Sequence, residues 1–261
     1  MIDKMIKLVR NGFKGVRDFR QENYTYELPN LLNLAFAMFS LKDASVSSFR
    51  EQYTVRAENL QRVYGVYELP GTIAFRGGID QVEPEDLQDL FKPLLDFLIA
   101  QGVLKERHVL GKYTIVSVDG TGHYCSGKKG CSQCMVKNHR NGKKTYYHQL
   151  LGAVAVHPNQ STVFPVACEA IVKQDGSTKN DCELNASKRI IPQIRAALSK
   201  EEIIAVFDAL YINGPHIKAL AEEDMRYIIG SKGQTYVDIQ AEQLRNKNQL
   251  QELSWKTKGK N

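Results

Sequence analysis

The spacing of apolar positions changes character once along this chain, near residue 112. Before that point they recur at helical intervals. Leu31, Leu32, Leu34, Ala35, Phe36, Met38 and Phe39 follow Leu28-Pro29 in one such stretch. Ser47 to Tyr64 predicts a second helix, and Pro70-Gly71 a turn. A third helix is expected after Asp80, where Glu83, Pro84, Glu85 and Asp86 supply the proline and acids that suit a helix start. Its buried stripe is Leu87, Leu90, Phe91, Leu94, Leu95 and Leu98, and Gly102 ends it.

Beyond Lys112 the pattern turns to strands. Tyr113 to Val118 is a short β-rich run that ends in Asp119-Gly120. Thr145 to His157 predicts a second strand, Pro158-Asn159 a turn, and Thr162 to Val172 an antiparallel third strand closed by Asp175-Gly176. Asp181 to Leu198 is helical in pattern, with Pro192 expected to kink or split it. Ile203 to Phe207 forms a fourth strand ending in Asp208. A helix from Pro215 to Glu223, a short strand from Tyr227 to Gly230 and an amphipathic segment from Val237 to Leu253 follow. The succession of three strands, helix, strand, helix, strand resembles the ribonuclease H-like order. The expected fold is therefore α/β: a ribonuclease H-like core over residues 111–261, a mixed sheet flanked by helices, preceded by a helical region over residues 1–110.

Composition narrows the class only modestly. No apolar run approaches the roughly 18–20 residues of a membrane span; the nearest, Leu31 to Leu41, contains Asn33. Five cysteines make no regular disulfide framework, so a reducing, cytoplasmic setting is expected. The net charge of +6 matters less than its placement. Between Gly120 and Leu150 stand Lys128, Lys129, Lys137, Arg140, Lys143 and Lys144, with no Asp or Glu among them. An acid-free basic loop suits a polyanion such as DNA; a solvated loop with no ligand is the plainer alternative.

Two strands ending in aspartate carry the candidate chemistry. In the expected order they lie side by side, which brings Asp119 and Asp208 together. Close carboxylates repel unless a cation joins them, and hard oxygen donors suit Mg²⁺ or Mn²⁺. Two such ions about 3.5–4 Å apart activate an attacking water or 3′-hydroxyl and stabilise the leaving oxygen. Taken alone, Asp119-Gly120 is also an ordinary turn pair.

Several blocks then resemble one family, the DDE transposases of bacterial insertion sequences, in the branch with a β-rich insertion before its last carboxylate. They are Val118-Asp119-Gly120-Thr121-Gly122; Cys131-Ser-Gln-Cys134 with His139-Arg-Asn-Gly142 and Tyr146-Tyr-His148; Asp175-Gly-Ser-Thr-Lys179 with Asp181-Cys-Glu183 and Lys188-Arg189; and Asp208-Ala-Leu-Tyr211 with Gly214-Pro-His216. Phe39-Ser-Leu-Lys-Asp43 and Tyr64-Gly-Val66 add to them. The resemblance implies two-metal DNA cleavage and strand transfer at transposon ends, with Asp119 and Asp208 as the first two catalytic carboxylates. It also implies a homo-oligomer when active and a bacterial, nucleoid-associated location. The third acid is expected on a later helix, which suggests a core incomplete at its C-terminal end and impaired in activity. Leu253-Ser-Trp-Lys-Thr-Lys resembles the start of the insertion, and the tail is basic at Lys256, Lys258 and Lys260. Within the chain Glu242 and Glu183 are the candidates for a third carboxylate; ribonuclease H-type nucleases carry one on the helix of Glu183. A non-catalytic DNA-binding remnant is the other alternative. Phe207 departs from the family, which usually has a small or acidic residue there.

The same basic segment holds Cys131 and Cys134 as a CxxC, with His139 and His148 after it and His123 and Cys125 before. Thiolate and imidazole at such spacing suit a zinc site, with Cys131, Cys134, His139 and His148 as candidate ligands; free thiols are the alternative. Recognition of transposon ends is expected of the helical region, with Arg50, Arg56 and Arg76 as candidate readers.

Overall fold

A computed structural model describes residues 1–20, 24–80, 82–172, 182–233 and 235–251. The expectations at Asp175 to Asp181, at Leu253 to Lys258 and at Lys260 lie outside the described residues.

The first hundred residues are helical: α1 (Ile2–Gly12), α2 (Leu28–Ser40), α3 (Val46–Asn59), α4 (Thr72–Ile79) and α5 (Phe91–Ala100). Pro29 sits in the first turn of α2, where its missing N–H leaves nothing unpaired. Leu31, Leu34, Ala37 and Met38 of α2 pack with Phe49, Leu60, Val66 and Phe75 in one buried cluster. The Ser45 hydroxyl caps α3 by accepting the Ser48 N–H at 3.1 Å. Beyond α3 a π-helical turn, Leu60–Tyr64, closes on Gly65 at φ 68°, so helix extends over the predicted Ser47 to Tyr64.

The helix expected after Asp80 is divided. Pro84–Leu90 forms a 3-10 helix, and α-geometry begins only at Phe91. Pro93 has no N–H for the Asp89 carbonyl, so one α-ladder cannot run through both halves. Two of the candidate DNA-reading arginines are engaged internally. Arg50 donates to the Pro70 carbonyl, and Arg56 to Asp43 at 2.7 Å; Arg76 is exposed.

The sheet is built from β1 (Tyr113–Ser126), β2 (Met135–Asn138), β3 (Lys144–His157), β4 (Gln160–Ile171), β5 (Glu202–Phe207) and β6 (Arg226–Ile229). Its order is β2-β3-β1-β5-β6, with β4 also paired to β3. β3 is long enough to hold two partners on one edge: β2 along residues 144–147 and β4 along residues 149–157. β3 runs antiparallel to β1 on one side and to β4 on the other, while β5 runs parallel to β1, and β6 to β5.

Two expectations about these strands need correcting. β1 does not end at Val118; it continues through Asp119 to Ser126. The basic stretch is accordingly less a loop than three strands: the far half of β1, β2 and the first half of β3. Gly120 and Gly122 weaken the strand pattern in β1, and the exposed faces of these strands lack the apolar alternation that marks a buried sheet.

α6 (Glu183–Ala197) lies on the sheet and buries Ala186, Ile190, Ile191 and Ile194 in one cluster with Val116, Val118, Leu151, Ala153 and Ala205. Pro192 does not split it; the helix is unbroken across that residue, with buried isoleucines on either side holding both halves down. Leu95 and Leu104 from the preceding region join this core. Buried Arg107 clasps the connection to β4 through Gln160 Oε1 and the Thr162 carbonyl. α7 (Gly214–Glu222) lies between β5 and β6, and α8 (Thr235–Asn246) follows with no buried residue. Among the described residues no helix is long and apolar enough to cross a membrane.

Ile194 is 0% exposed at the centre of the α6 interface. Ile194→Ala is expected to lower stability by about 2–5 kcal/mol, read from the shift of the urea unfolding midpoint.

Candidate metal and nucleic-acid site

The parallel pair β1–β5 sets the position of the two aspartates. Its register runs from Tyr113↔Glu202 to Ser117↔Val206. Continued two residues past its last pair, this register leads to Asp119 on β1 and to Asp208, just beyond the end of β5. Residues in register on parallel strands face the same way, and alternate residues face opposite ways. Val118 and Phe207 point into the core, so Asp119 and Asp208 belong to the open face, and both are exposed. Backbone N–H groups steady each one. Gly120 N–H donates to Asp119 Oδ1 at 2.8 Å, and Leu210 N–H to Asp208 Oδ1 at 2.8 Å.

Glu183, in the first turn of α6, stands over Gly120, next in sequence to Asp119. Its Oε2 accepts the Tyr211 hydroxyl at 3.1 Å, and its Oε1 accepts the Gln149 amide. Gly120, next to Asp119, makes this approach possible. A Cβ there would lie 2.5 Å from Glu183 Cδ and 2.8 Å from Gln149 Nε2. Tyr211 is fully buried, and its hydroxyl is pushed well above the usual tyrosine range. Burial is the main cause, followed by the charge of Glu183 and its hydrogen bond, then by the charges of Asp208 and Asp119. The phenol thus feels all three carboxylates and stays a proton donor to Glu183. Glu242 is exposed on α8, whose start is tied to the Ile212 carbonyl by the Tyr236 hydroxyl.

Behind the corner, Phe207 packs edge-on to His216 with ring centroids 4.5 Å apart and meets Tyr211 at 5.1 Å. The large residue before Asp208 is thereby a wall of the core. His216 Nδ1 meets Ser187 Oγ at 3.2 Å, while its buried Nε2 has no hydrogen-bond partner.

Lys128, Lys129, Lys137, Arg140, Lys143 and Lys144 are all exposed on or beside the β2–β3 hairpin. Two adjoining hollows, of about 810 and 610 Å³, share His139 and Thr145 in their walls. Lys137 lines the first, and Lys128, Lys143 and Lys144 line the second.

The candidate zinc ligands divide. Cys131, Cys134 and His148 come together, with their ligand atoms all within 4.8 Å. Among the described residues this is the only such trio of His, Cys, Asp and Glu, so Asp119, Asp208 and Glu183 do not form an equally tight one. His139 is not part of the cluster; its Nε2 meets Thr145 Oγ1 at 2.8 Å. Thr145 and His148 are three positions apart on β3 and face opposite sides, which sequence spacing alone does not register. His123 stacks on His148 with centroids 5.6 Å apart, and its pKa is lowered by burial and by His148. Cys125 is exposed, and Cys168 and Cys182 lie outside the cluster.

No protein-family model matches the chain, and no curated protein matches it. Among solved structures, a cryo-EM structure of a piggyBac transposase synaptic complex with hairpin DNA is similar at a TM-score of 0.38 and 14% identity. The similarity covers 90% of this chain and 49% of that one, so the chain spans about half the length of that transposase.

Burial pushes the His216 imidazole down to about 4 from the ordinary 6.5. The unfolded chain therefore takes up this proton at a higher pH than the fold does. Stability from holding His216 neutral is complete above pH 6.5 and is lost as the pH falls through about 4. The urea midpoint is expected to fall between pH 7 and pH 5, and to fall less in His216→Gln.

Proposed function

We propose that this protein binds DNA along its cationic hairpin and carries out divalent-metal-dependent phosphodiester chemistry beside Asp119 and Asp208, in the manner of a DDE transposase. The observation that carries this reading is the β1–β5 register, which sets two exposed aspartates side by side next to an acid-free strip of six cations. The strand order, an antiparallel trio extended by two parallel strands, supports a ribonuclease H-like core for the sheet.

The donor set fits Mg²⁺ or Mn²⁺. The carboxylate oxygens are hard ligands, and one oxygen of each aspartate is already held by a backbone N–H. Among the described residues the second oxygen, Oδ2, of Asp119 and of Asp208 has no protein partner, so each can serve as a ligand. Bound there, the ions would activate the attacking hydroxyl and stabilise the leaving oxygen. The protein's own part is to fix the carboxylates through the Gly120 and Leu210 N–H groups and to hold phosphates on the lysines. Such phosphate contacts position DNA without reading its sequence.

A second reading is favoured by one observation. Glu183 lies over the backbone of Gly120 and accepts the hydroxyl of Tyr211, whose pKa the charges of both aspartates also raise, whereas Glu242 is exposed on α8. This favours Glu183 as the third carboxylate, the arrangement of a ribonuclease H-type nuclease.

Cleavage of duplex DNA with Mg²⁺ or Mn²⁺ tests the site. Asp119→Asn and Asp208→Asn are each expected to abolish it while leaving low-salt DNA binding intact. Unchanged cleavage in either variant refutes the metal assignment, and binding without cleavage in the parent protein supports a non-catalytic DNA-binding role instead. Loss of cleavage in Glu183→Gln but not in Glu242→Gln selects the second reading. Replacing Lys143 and Lys144 with alanine is expected to lower the slope of log K against log salt by about 2.

A further inference from the structure

Among the described residues, the tightest cluster of metal-ligating side chains is not at the carboxylates. It stands on the other face of the β2–β3 hairpin from His139, and three strands contribute to it. Met135 pairs with Tyr147, so one step back along β2 Cys134 falls opposite His148 on β3. Cross-strand neighbours share a face, which brings thiol and imidazole together. A tight turn, with Cys134 N–H donating to the Cys131 carbonyl at 3.2 Å, folds Cys131 back over the same spot. On the third strand, the β1–β3 register slips between Gly122 and Tyr124, and this bulge inserts His123 against His148.

We infer that Cys131, Cys134 and His148 bind a zinc ion, with His123 closing the fourth position, and that this ion clamps the cationic hairpin to the sheet. The distances carry the assignment. Cys131 Sγ to Cys134 Sγ is 3.5 Å, and His148 Nε2 lies 3.2 Å from Cys131 Sγ and 3.3 Å from Cys134 Sγ. Around zinc, with bonds of about 2.3 Å to sulfur and 2.0 Å to nitrogen, tetrahedral ligand atoms stand roughly 3.5–3.8 Å apart. The three atoms thus form a near-equilateral triangle only a few tenths of an ångström too small.

An imidazole nitrogen nearly equidistant from both sulfurs is the arrangement a shared metal requires. The Cys131 N–H also points at Cys134 Sγ, 3.2 Å away, the kind of donor that stabilises a metal-bound thiolate. His123, stacked on His148 at 5.6 Å with the rings 22° apart, needs a side-chain rotation to reach the ion.

Zinc binding replaces two thiol protons, so the local charge stays cationic while the 131–134 turn is pinned to β3. Soft sulfur and borderline nitrogen donors keep this site chemically separate from the hard oxygens of Asp119 and Asp208.

The test uses the full chain, purified with reductant and dialysed against metal-free buffer, with zinc measured by mass spectrometry. About one zinc per chain is expected. Cys131→Ser, Cys134→Ser and His148→Ala each reduce it to background, while Cys125→Ser and His139→Ala leave it unchanged. Cobalt titration of the parent chain does not depend on any variant folding, and it should give tetrahedral visible bands with thiolate charge transfer in the near ultraviolet. His148→Cys should restore metal binding and intensify that charge transfer. Trypsin should cut at Lys128, Lys129 or Lys137 faster once a chelator has removed the metal. A metal-free parent chain with no tetrahedral cobalt spectrum overturns the inference, and so does full zinc in Cys134→Ser. Undiminished affinity in His123→Ala overturns the fourth ligand.

Discussion

The pairing of β1 with β5 is the constraint on which the rest of this molecule depends. Parallel neighbours cannot be joined by a hairpin, and here the β3–β4 meander and α6 all fall within the connection. The pair is held in place from one face. Val116 and Ala205 are 0% exposed and Ile203 is 1%, all within the core cluster that α6 shares. Slipping β5 by one residue would turn Ile203, Ala205 and Phe207 outward and drive Asp208 toward the core. Burying an unpaired carboxylate is costly, so the apolar face and the acid at the strand end enforce the same register. Core packing and candidate site are one decision in this fold: the packing that hides Val118 and Phe207 presents Asp119 and Asp208.

Alternation of side chains governs the hairpin as well. Successive residues of β3 look to opposite sides, so Thr145 and Gln149 serve one face while His148 serves the other. On the first face the lysine-lined hollows share Thr145 and His139. On the second, Cys131, Cys134 and His148 gather. A three-stranded extension with a cationic surface is weakly held by itself, since like charges repel and little apolar area is hidden. Buried Cys134 and Met135 are its main apolar anchorage, both at the root of β2. The cysteine cluster stands at that root, where a crosslink does most to hold the extension to the sheet.

The helix and strand order was legible in the chain because each element has one strongly apolar face. The stripe of α2, the β-branched runs of β1 and β5 and the isoleucines of α6 mark their elements plainly. The far half of β1 and all of β2 were not legible. Their residues are exposed and polar, and their pairing depends on β3 rather than on any pattern of their own. The aspartate pair stands as a candidate from the sequence alone, because runs of β-branched residues lead up to each acid, although β1 runs on beyond Asp119. The division of the histidines could not. His139 and His148 are equally plausible ligands by spacing, and only the parity of β3 separates them. Tyr211 stands in the sequence only as part of the Asp208-Ala-Leu-Tyr211 block; its hydrogen bond to Glu183 comes from burial, which no local pattern announces.

Glu183 and His148 are linked through one peptide unit. Gln149, next to His148, gives its amide to Glu183, and Glu183 in turn accepts the Tyr211 hydroxyl. The position of Gln149 therefore depends on the same stretch of β3 that the cysteine turn grips. If β3 shifted at residue 148, the amide would leave Glu183 with Tyr211 as its remaining donor at the corner. Glu183 would then be less firmly positioned over Gly120. The bulge at His123 falls just beyond the β1 segment that holds the carboxylate corner, and takes up the mismatch where β1 passes from core strand to exposed hairpin partner. The exposed hairpin and the position of Glu183 are thus joined through two hydrogen bonds and one backbone step.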